Sequence, residues 1–489
     1  MLCLCGAAGA QTYDKVLRRN FWNDGNGVVG MRQDSVSVAV AELSGGYEDG
    51  GLRSASQAAS AWTAGARSAA IRHLKNFSVA GSLSFEQFWG SGMAGSMFVR
   101  PGFFPIDVYE FTPADKRRQT YAFSGAVSVD VGAQWRLGAG VEFTSANLAK
   151  LKDLRHTTYM LDFRVNPGVQ YHNGDFALGL NGIFSKTSET ATAEQIGSKV
   201  ASYEVFLNKG LYYGVGELWT GSGVHLSEAG VSGFPLSQTS GGVSLQASYG
   251  SVYASLSWTA HSGFCGEKDK LWYRFAGSTL GVNLGARFPS ALGTHSIRGS
   301  AEFFSQTNNE TVLERVNEGG VTTTVELGAN QVLLRTRLKA SLDYDFAGKG
   351  WSLGASASFV DNEGVQSGLY PYVGTQVLRT PFVSVRGGAG ISHFDLRLGI
   401  GYTAGIMEDT LNSVDASSGV SGEPERLDSY FVKFRDQMTA HQIVVTPVAR
   451  FNFCRVFYLE AGAVWVHGFN LQYLGSNRIN ASLKFGYNF

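Results

Sequence analysis

Apolar and polar residues alternate along much of this chain, and the alternation is most regular at its C-terminal end. In the segment INASLKFGYNF, residues 479–489, every second side chain is apolar and the chain closes on Phe489. A repeat of two residues places these apolar side chains on one face of a β-strand, whereas a helix needs a repeat of about 3.6. The segment therefore predicts a strand with one apolar face and one polar face.

The same repeat of two recurs along the rest of the chain. Clear examples lie at residues 77–86, 121–131, 135–144, 332–346 and 394–403. Each run has about ten residues or a few more, which is the length that a tilted strand needs to cross a bilayer. Counted as alternating up- and down-strands, the chain gives about eighteen strands, with sixteen as the alternative, and single-chain bacterial barrels have even numbers.

The connections between these runs are of two kinds, very short and long. The short ones include residues 132–134, 172–175 and 348–350, and the long polar ones are 97–119, 189–238, 306–320 and 408–438. This asymmetry is typical of an outer-membrane barrel, which has tight periplasmic turns and longer extracellular loops. The sequence therefore predicts an all-β fold, a membrane-spanning antiparallel up-and-down β-barrel in the outer membrane.

The last strand is also expected to direct assembly and to close the ring. A C-terminal aromatic residue, here Phe489, is the end that the barrel assembly machinery reads, so this machinery is an expected partner. Residues 478–489 are expected to pair with 456–470 on one side and with 35–46 on the other. An edge strand of a soluble sandwich would explain the last segment alone, but not the strands and turns before it.

Composition supports a barrel and excludes other classes. Charged residues make up 16% of the 489, against about 25% in a typical soluble domain. No run approaches the roughly 18 apolar residues of a membrane-spanning helix. The low count of 10 Pro residues beside 62 Gly suits strands in which proline would remove a ladder donor. With 40 basic and 40 acidic residues, the chain has no basic footprint for nucleic acid.

Three regions are expected along the chain. Residues 1–10 are small and apolar and end in Ala-Gly-Ala, which matches the cleavage end of an export signal, so they are interpreted as a signal-peptide remnant. Residues 11–34 are expected to form a short periplasmic tail or a small plug in the lumen, and residues 35–489 a single barrel. Cys265 is expected in a surface loop and Cys454 in a turn at the opposite end, too far apart for a disulfide bond.

Three segments of the sequence are distinctive. They are MFVRPGFFPIDVYEFTPADKRRQTYAFSG at 97–125, KDLRHTTYMLDFRVNPGVQYHNGDFALGLNG at 152–182 and GSGVHLSEAGVSGFP at 221–235. These segments resemble an uncharacterised outer-membrane β-barrel family of the Bacteroidota, and the resemblance runs from residue 35 to the C-terminus. It implies a location and an architecture, and it carries no catalytic or binding residues onto this chain.

Charged residues lie on the strand faces opposite the apolar stripes. An Arg or Lys facing lipid near the midplane would cost about 2–4 kcal/mol, so these residues are expected to line an aqueous lumen. The candidates are Arg136, Glu142, Arg164, Arg298, Glu302, Arg335, Arg337, Lys339, Asp343, Asp345, Arg397 and Lys484. Two roles stay open for them: a selectivity region for a charged or zwitterionic solute, and a salt-bridge network that braces the wall or a plug.

The connection at 189–238 is long and rich in aromatic residues, so it is not expected to be merely disordered. Its candidate gating residues are Tyr212, Trp219, His225, Glu228 and Phe234. Two arrangements are open for this loop. It folds inward and constricts the pore, or it rises and docks a surface lipoprotein.

Patterns that would indicate catalysis are short and out of context. Residues 350–354 match GxSxG and residues 25–30 match GxGxxG, but the first opens a strand and the second precedes no helix. No enzyme activity, catalytic residue, cofactor or metal site is therefore expected.

The favoured function is a transport pore for a small polar or charged solute, gated by loop 189–238. The alternative is a plugged structural barrel that docks a surface lipoprotein or a secretion component. Outer-membrane lipid and lipopolysaccharide are the other expected partners.

Overall fold

The chain folds into a closed antiparallel β-barrel. The structure is a computed structural model that describes residues 13–23, 36–152, 155–194, 203–219, 233–267, 270–369, 372–410, 423–453 and 456–489. The strands in these ranges are β1 (Val38–Gly50), β2 (Ser60–His73), β3 (Phe77–Ser96), β4 (Asp107–Val131), β5 (Trp135–Lys150), β6 (Arg155–Asn173), β7 (Phe176–Glu194), β8 (Tyr203–Asn208), β9 (Gly214–Trp219), β10 (Phe234–Tyr249), β11 (Val252–Glu267), β12 (Lys270–Ser290), β13 (Gly293–Glu318), β14 (Val321–Gly348), β15 (Trp351–Leu369), β16 (Tyr372–Ile391), β17 (Phe394–Ala404), β18 (Ile406–Asp409), β19 (His441–Phe453), β20 (Phe457–Phe469) and β21 (Asn477–Asn488).

Two α-helices accompany the strands in the described ranges. They are α1 (Tyr13–Arg19), followed by a single 3-10 turn at Phe21–Asn23, and α2 (Glu423–Thr439). Neither helix is long and apolar enough to cross a membrane.

Eighteen wall strands close the ring. Among the 21 described strands, β8 and β9 lie off the wall, and β17 and β18 follow each other along the same neighbour, β16, so that 18 wall strands remain. The last strand pairs with both expected neighbours, since Phe485 lies opposite Leu459 of β20 and Leu43 of β1. The predicted fold class, strand count and closing pair are therefore confirmed.

The outer face of the wall is apolar. Leu342, Leu398 and Leu483 point outward and leave 56%, 48% and 52% of their surface exposed. Aromatic pairs lie near the ends of the strands, for example Phe346 against Trp351 at 4.7 Å between ring centroids. An apolar exterior with aromatic residues at its edge is what a barrel needs to sit in a bilayer.

The two ends of the barrel differ. At one end, which we call the short-turn rim, neighbouring wall strands are joined by two or three residues. Gly132 and Gly350 make such turns possible with φ angles of 80° and 81°, which residues with a Cβ adopt only with strain. At the other end, the long-loop rim, the connections include residues 97–106, 195–233 and 410–440.

Several predicted loop boundaries are wrong. The predicted loop 306–320 is mostly strand, because β13 and β14 continue to a two-residue turn at Gly319 and Gly320. Beyond the bilayer both faces of a hairpin meet water, so no apolar alternation marks these strands in the sequence. The loops predicted at 97–119 and 189–238 shrink to 97–106 and 195–233, because β4 begins at Asp107, β7 ends at Glu194 and β10 begins at Phe234.

Two residues assigned to loops belong to strands. Cys265 lies in β11 and has no exposed surface, so it is not in a surface loop. Phe234 is the first residue of β10 and is 2% exposed, so it is not part of the long loop. Both side chains are apolar enough to be buried inside the barrel instead.

The assigned faces predict the effect of a charge on each side of the wall. Leu342→Lys is expected to destabilise the barrel by about 2–4 kcal/mol, because it places a charge against lipid near the midplane. Ser358→Lys, on the inward face of the next strand, is the matched control and should leave stability near that of the wild type. Urea unfolding from liposomes measures both variants, and equal losses would contradict the assigned faces.

Candidate functional site in the barrel lumen

A small sheet leaves the wall and fills the lumen towards the long-loop rim. We call it the inner sheet; it consists of residues 93–96, 107–110, 203–208 and 214–219. Tyr109 pairs with Ser96 on one side and with Phe206 on the other, and Phe206 pairs in turn with Gly216. The pairing of β4 with β5 starts only at Lys116. The residues of β4 before it are therefore free to turn inward.

The connection at 97–106, which we call the inner loop, is held by inward side chains of several wall strands. On one arc, Thr158 of β6 donates to the Met97 carbonyl at 2.6 Å and Arg100 pairs with Asp162 at 2.9 Å. On a distant arc, Arg335 of β14 donates to the carbonyls of residues 102, 103 and 104 at 3.1, 2.7 and 3.4 Å. The inner loop therefore lies inside the barrel and crosses it.

The turn between β8 and β9 reaches the far wall. The Lys209 ammonium contacts both carboxylate oxygens of Glu310 on β13 at 2.8 Å. Leu211 packs against Gly364 of β15, where an added Cβ would lie 2.7 Å from its methyl carbon. Leu211 and Tyr212 both have positive φ angles, 60° and 62°, so the turn is strained and is held in place by its contacts.

An apolar cluster seals the inner sheet and inner loop against the wall. It joins inner residues such as Met97, Phe104 and Leu207 to wall residues of β7 and β10–β14. The wall residues are Ala191, Ala193, Phe234, Leu236, Cys265, Tyr273, Phe275 and Val332. A β-bulge at Val332, which has no partner on β13, turns both Val332 and Leu333 into this interior, where they are 1% and 2% exposed.

Helix α2 covers the inner sheet from the long-loop rim. Tyr212 packs against Tyr109 at 5.6 Å and against Phe431 and Phe434 of the helix at 5.6 and 5.1 Å. Tyr430 donates to the Glu110 carbonyl at 3.0 Å. The helix is fixed in turn by Asp436, which accepts hydrogen bonds from the backbone amides of residues 472, 473 and 474 at 3.1, 2.9 and 3.1 Å.

A buried ion cluster anchors the root of the inner sheet. Glu110 pairs with Lys116 at 3.0 Å and with Lys150 at 2.5 Å, and the three side chains are 2%, 1% and 0% exposed. Removing one partner of such a group leaves an uncompensated buried charge, which is strongly destabilising. The sequence analysis missed this cluster, since nothing local marks these residues as buried.

Asp107 is a buried carboxyl group of the inner sheet. It lies off the membrane-spanning wall, and burial raises the pKa of its carboxyl to about 7, although Ser96 and the Val108 amide donate hydrogen bonds to it. The negative charge of nearby Glu189 raises this pKa further. The folded inner sheet therefore favours the protonated carboxyl.

The segment 13–23 lies against the inner wall at the short-turn rim. Tyr13 and Val16 are buried against apolar residues of β1 and β2. The Phe21 ring lies under the guanidinium of Arg298 at 4.7 Å, and Gln246 donates to the Trp22 carbonyl at 3.0 Å.

Most predicted lumen-lining charges form ion pairs with other charged residues on the inward face. Arg337 pairs with Glu302 at 3.1 Å, as does Arg136 with Asp130 at 2.9 Å. Further pairs join Arg386 to Asp345 at 2.6 Å and to Asp343 at 3.7 Å, Arg397 to Glu460 at 2.8 Å, and Lys484 to Glu460 at 3.6 Å. Arg386 was not among the predicted candidates. Arg335 is inward as expected, but its guanidinium is used by the inner loop.

Two charged candidates are unpaired among the described residues, and Phe489 lies at the end of the barrel wall. Within the described ranges, Glu142 and Lys339 have no hydrogen-bonded or ion-paired partner. Phe489 at the short-turn rim exchanges two backbone hydrogen bonds with Ala39 of β1, at 2.9 and 3.0 Å.

The predicted gating residues are only partly covered by the structure. Tyr212 lies at the centre of the contact between the inner sheet and α2. The backbone of Trp219 ends β9, while His225 and Glu228 lie outside the described residues.

Arg335 is predicted to hold the inner loop in place. Arg335→Gln should speed amide hydrogen exchange of residues 97–106 by about tenfold to a hundredfold, since a hydrogen bond to a charged group contributes about 1.5–3 kcal/mol. Arg337→Gln on the same strand face is the matched control and should leave that exchange unchanged. An unaltered inner loop in Arg335→Gln would show that these hydrogen bonds do not hold it.

Asp107 is predicted to make the inner sheet sensitive to pH. Its pKa is raised in the folded state, so its stabilising contribution is full below about pH 4 and is lost as the pH rises through about 7. Asp107→Asn keeps an oxygen that accepts both hydrogen bonds and should remove this dependence. Hydrogen exchange of residues 93–110 between pH 5 and pH 8, corrected for the intrinsic exchange rate, measures it. The same pH dependence in both proteins would contradict the assignment.

Comparison with solved structures finds distant barrels. The chain matches OccAB4 of Acinetobacter baumannii with 10% identity and a TM-score of 0.37, covering 94% of this chain and 99% of that one. The FrpB iron transporter of Neisseria meningitidis matches with 7% identity and a TM-score of 0.45, covering 92% and 81%. CdiB of Acinetobacter baumannii matches with 9% identity and a TM-score of 0.35; 92% of this chain is covered, and it spans 60% of that chain. Likeness at this level carries no inference about function.

Sequence comparison gives a family. No curated protein matches the chain. One family matches residues 28–489, nearly the whole length, and its description is a family of unknown function, DUF6850. The expectation of an uncharacterised family is therefore confirmed, and the chain belongs to DUF6850.

Proposed function

We propose that this protein is an outer-membrane transport channel for small polar or charged solutes, closed at rest by its inner sheet. The apolar outer face supports a place in a bilayer, where outer-membrane lipid and lipopolysaccharide would surround the wall. The inward charges and hydroxyl groups supply a polar route through it. The charged candidates, from Arg136 to Lys484, line that route in this proposal.

One observation carries the proposal. The inner sheet is continuous with the wall at β3 and β4, but it meets the opposite wall only through non-covalent contacts. The β8–β9 turn reaches β13 and β15 through the Lys209–Glu310 ion pair and the packing of Leu211 against Gly364, beside the apolar cluster around Phe275. A partly exposed ion pair contributes only about 1 kcal/mol or less, so in this proposal the β8–β9 turn detaches from β13 and β15 while the root of the inner sheet at β3 and β4 stays anchored.

Access from the short-turn rim needs a second movement. Residues 13–23 occupy part of that mouth, held by the Gln246 and Arg298 contacts. In this proposal they act as a small plug, in keeping with the plug expected for residues 11–34. Assembly through the Phe489 end by the barrel assembly machinery belongs to the same proposal.

A reversible cross-link tests the gate. Leu211→Cys with Gly364→Cys, in a Cys454→Ser background, should form a disulfide that locks the inner sheet to β15. In planar bilayers the oxidised protein should show no openings, and reduction should restore them. Ser356→Cys with Ser384→Cys, whose hydroxyls lie 2.6 Å apart on neighbouring wall strands, is the matched control and should conduct in both states.

Two outcomes would contradict the channel. Equal conductance in the locked and reduced forms would mean that the inner sheet is not the gate. A barrel that stays ion-tight even after residues 195–233 are deleted would mean that it is not a channel.

The second candidate is a docking barrel, and the apolar cluster around Met97 and Phe275 favours it. A dry core inside the lumen is what a permanently filled barrel would contain. This candidate expects a surface lipoprotein or secretion component to co-purify in mild detergent with every ion-tight preparation. A partner-free monomer in all conditions would count against it.

A further inference from the structure

The lumen contains a polar recess below the inner loop. The recess has a volume of about 350 Å³ and lies on the inward faces of β5–β7 and β10–β13, with Phe103 above it. This is at the small end of the roughly 300–1,000 Å³ range of small-molecule sites. It therefore suits a solute the size of one sugar ring rather than a chain of several.

Unused hydroxyl groups face this recess. Among the residues that the structure describes, Thr144, Ser185, Thr259 and Thr279 line it and make no side-chain hydrogen bond. A hydroxyl both donates and accepts, so an array of them matches a solute that itself carries several hydroxyls. The free carboxylate of Glu142 adds a strong acceptor beside them.

The charges that reach the recess balance. Two of its carboxylates are neutralised, Asp162 by Arg100 at 2.9 Å and Glu302 by Arg337 at 3.1 Å. The remaining carboxylate, Glu142, lies opposite Arg164 in the β5–β6 register. Because neither sign of charge is in excess, the recess gives no Coulomb preference to a cation or an anion.

We propose that this recess binds a neutral, polyhydroxylated solute of monosaccharide size. The inference rests on the proposed function, since it names the solute class that the channel would pass. Hydroxyl groups of the solute bridge the free threonine and serine hydroxyls, and one pair of them donates to Glu142. Phe103 packs on the carbon face of the ring and closes the recess towards the inner loop.

Equilibrium binding to the detergent-solubilised full chain tests this. D-glucose is the probe, and isothermal titration calorimetry should show saturable binding. Thr259→Val with Thr279→Val removes two hydroxyls at constant shape and should weaken binding about tenfold, because two hydrogen bonds to the solute are lost. Thr446→Val, an inward threonine on β19 outside the recess, is the matched control and should bind as the wild type does.

Charged analogues of the same ring test the solute class. Glucuronate and glucosamine should bind no more tightly than glucose. Tighter binding of either analogue would overturn the neutral class, and absent glucose binding, or binding unchanged in the double valine variant, would overturn the site.

Glucose binding is measured without a membrane, separately from conductance. A barrel that binds glucose but never conducts would support the binding site and contradict the proposed channel. A barrel that conducts but does not bind glucose would support the channel and contradict the binding site.

Discussion

A backbone inside a bilayer finds no water to bond with, so each amide and carbonyl of the wall must pair with a neighbouring strand. This constraint makes the pairing of β21 with β1 essential, because an open edge would leave a row of unpaired groups in lipid. Once the ring is closed, each side chain of the wall points either outward to the lipid or inward to the lumen. One set meets lipid, as Leu342 and Leu483 do, and the other meets the lumen.

The contents of the lumen follow from the same requirement. A chain that enters the lumen brings backbone groups with it, and these also need partners when they are buried. The inner sheet satisfies them by pairing β8 onto β4, and Arg335 satisfies three carbonyls of the inner loop. The inner sheet is therefore a folded element with defined contacts, and its β8–β9 turn reaches the far wall at Glu310 and Gly364.

The wall could be predicted from the sequence because its signal is local. In the strands that contain Leu342 and Phe485, a repeat of two residues in the sequence identifies the apolar face and the polar face. The same logic fails outside the bilayer, where β13 and β14 continue without an apolar face. It also fails for residues whose role depends on distant partners. Arg335 has the pattern of a lumen cation, yet its guanidinium is used by the inner loop.

The candidate site could be predicted only in part for the same reason. The aromatic content of the long loop drew attention to Tyr212, but its partners on α2 lie more than two hundred residues away in the chain. The sequence around Glu110, Lys116 and Lys150 has no pattern that predicts the burial of these side chains. Such long-range contacts arise only when the ring has closed and the inner sheet has folded inside it.

The conductance of single unmodified barrels in planar bilayers tests the central claim most directly. A lumen closed at rest by a docked inner sheet predicts a closed baseline interrupted by brief, discrete openings. A steady open conductance from the moment of insertion would contradict it.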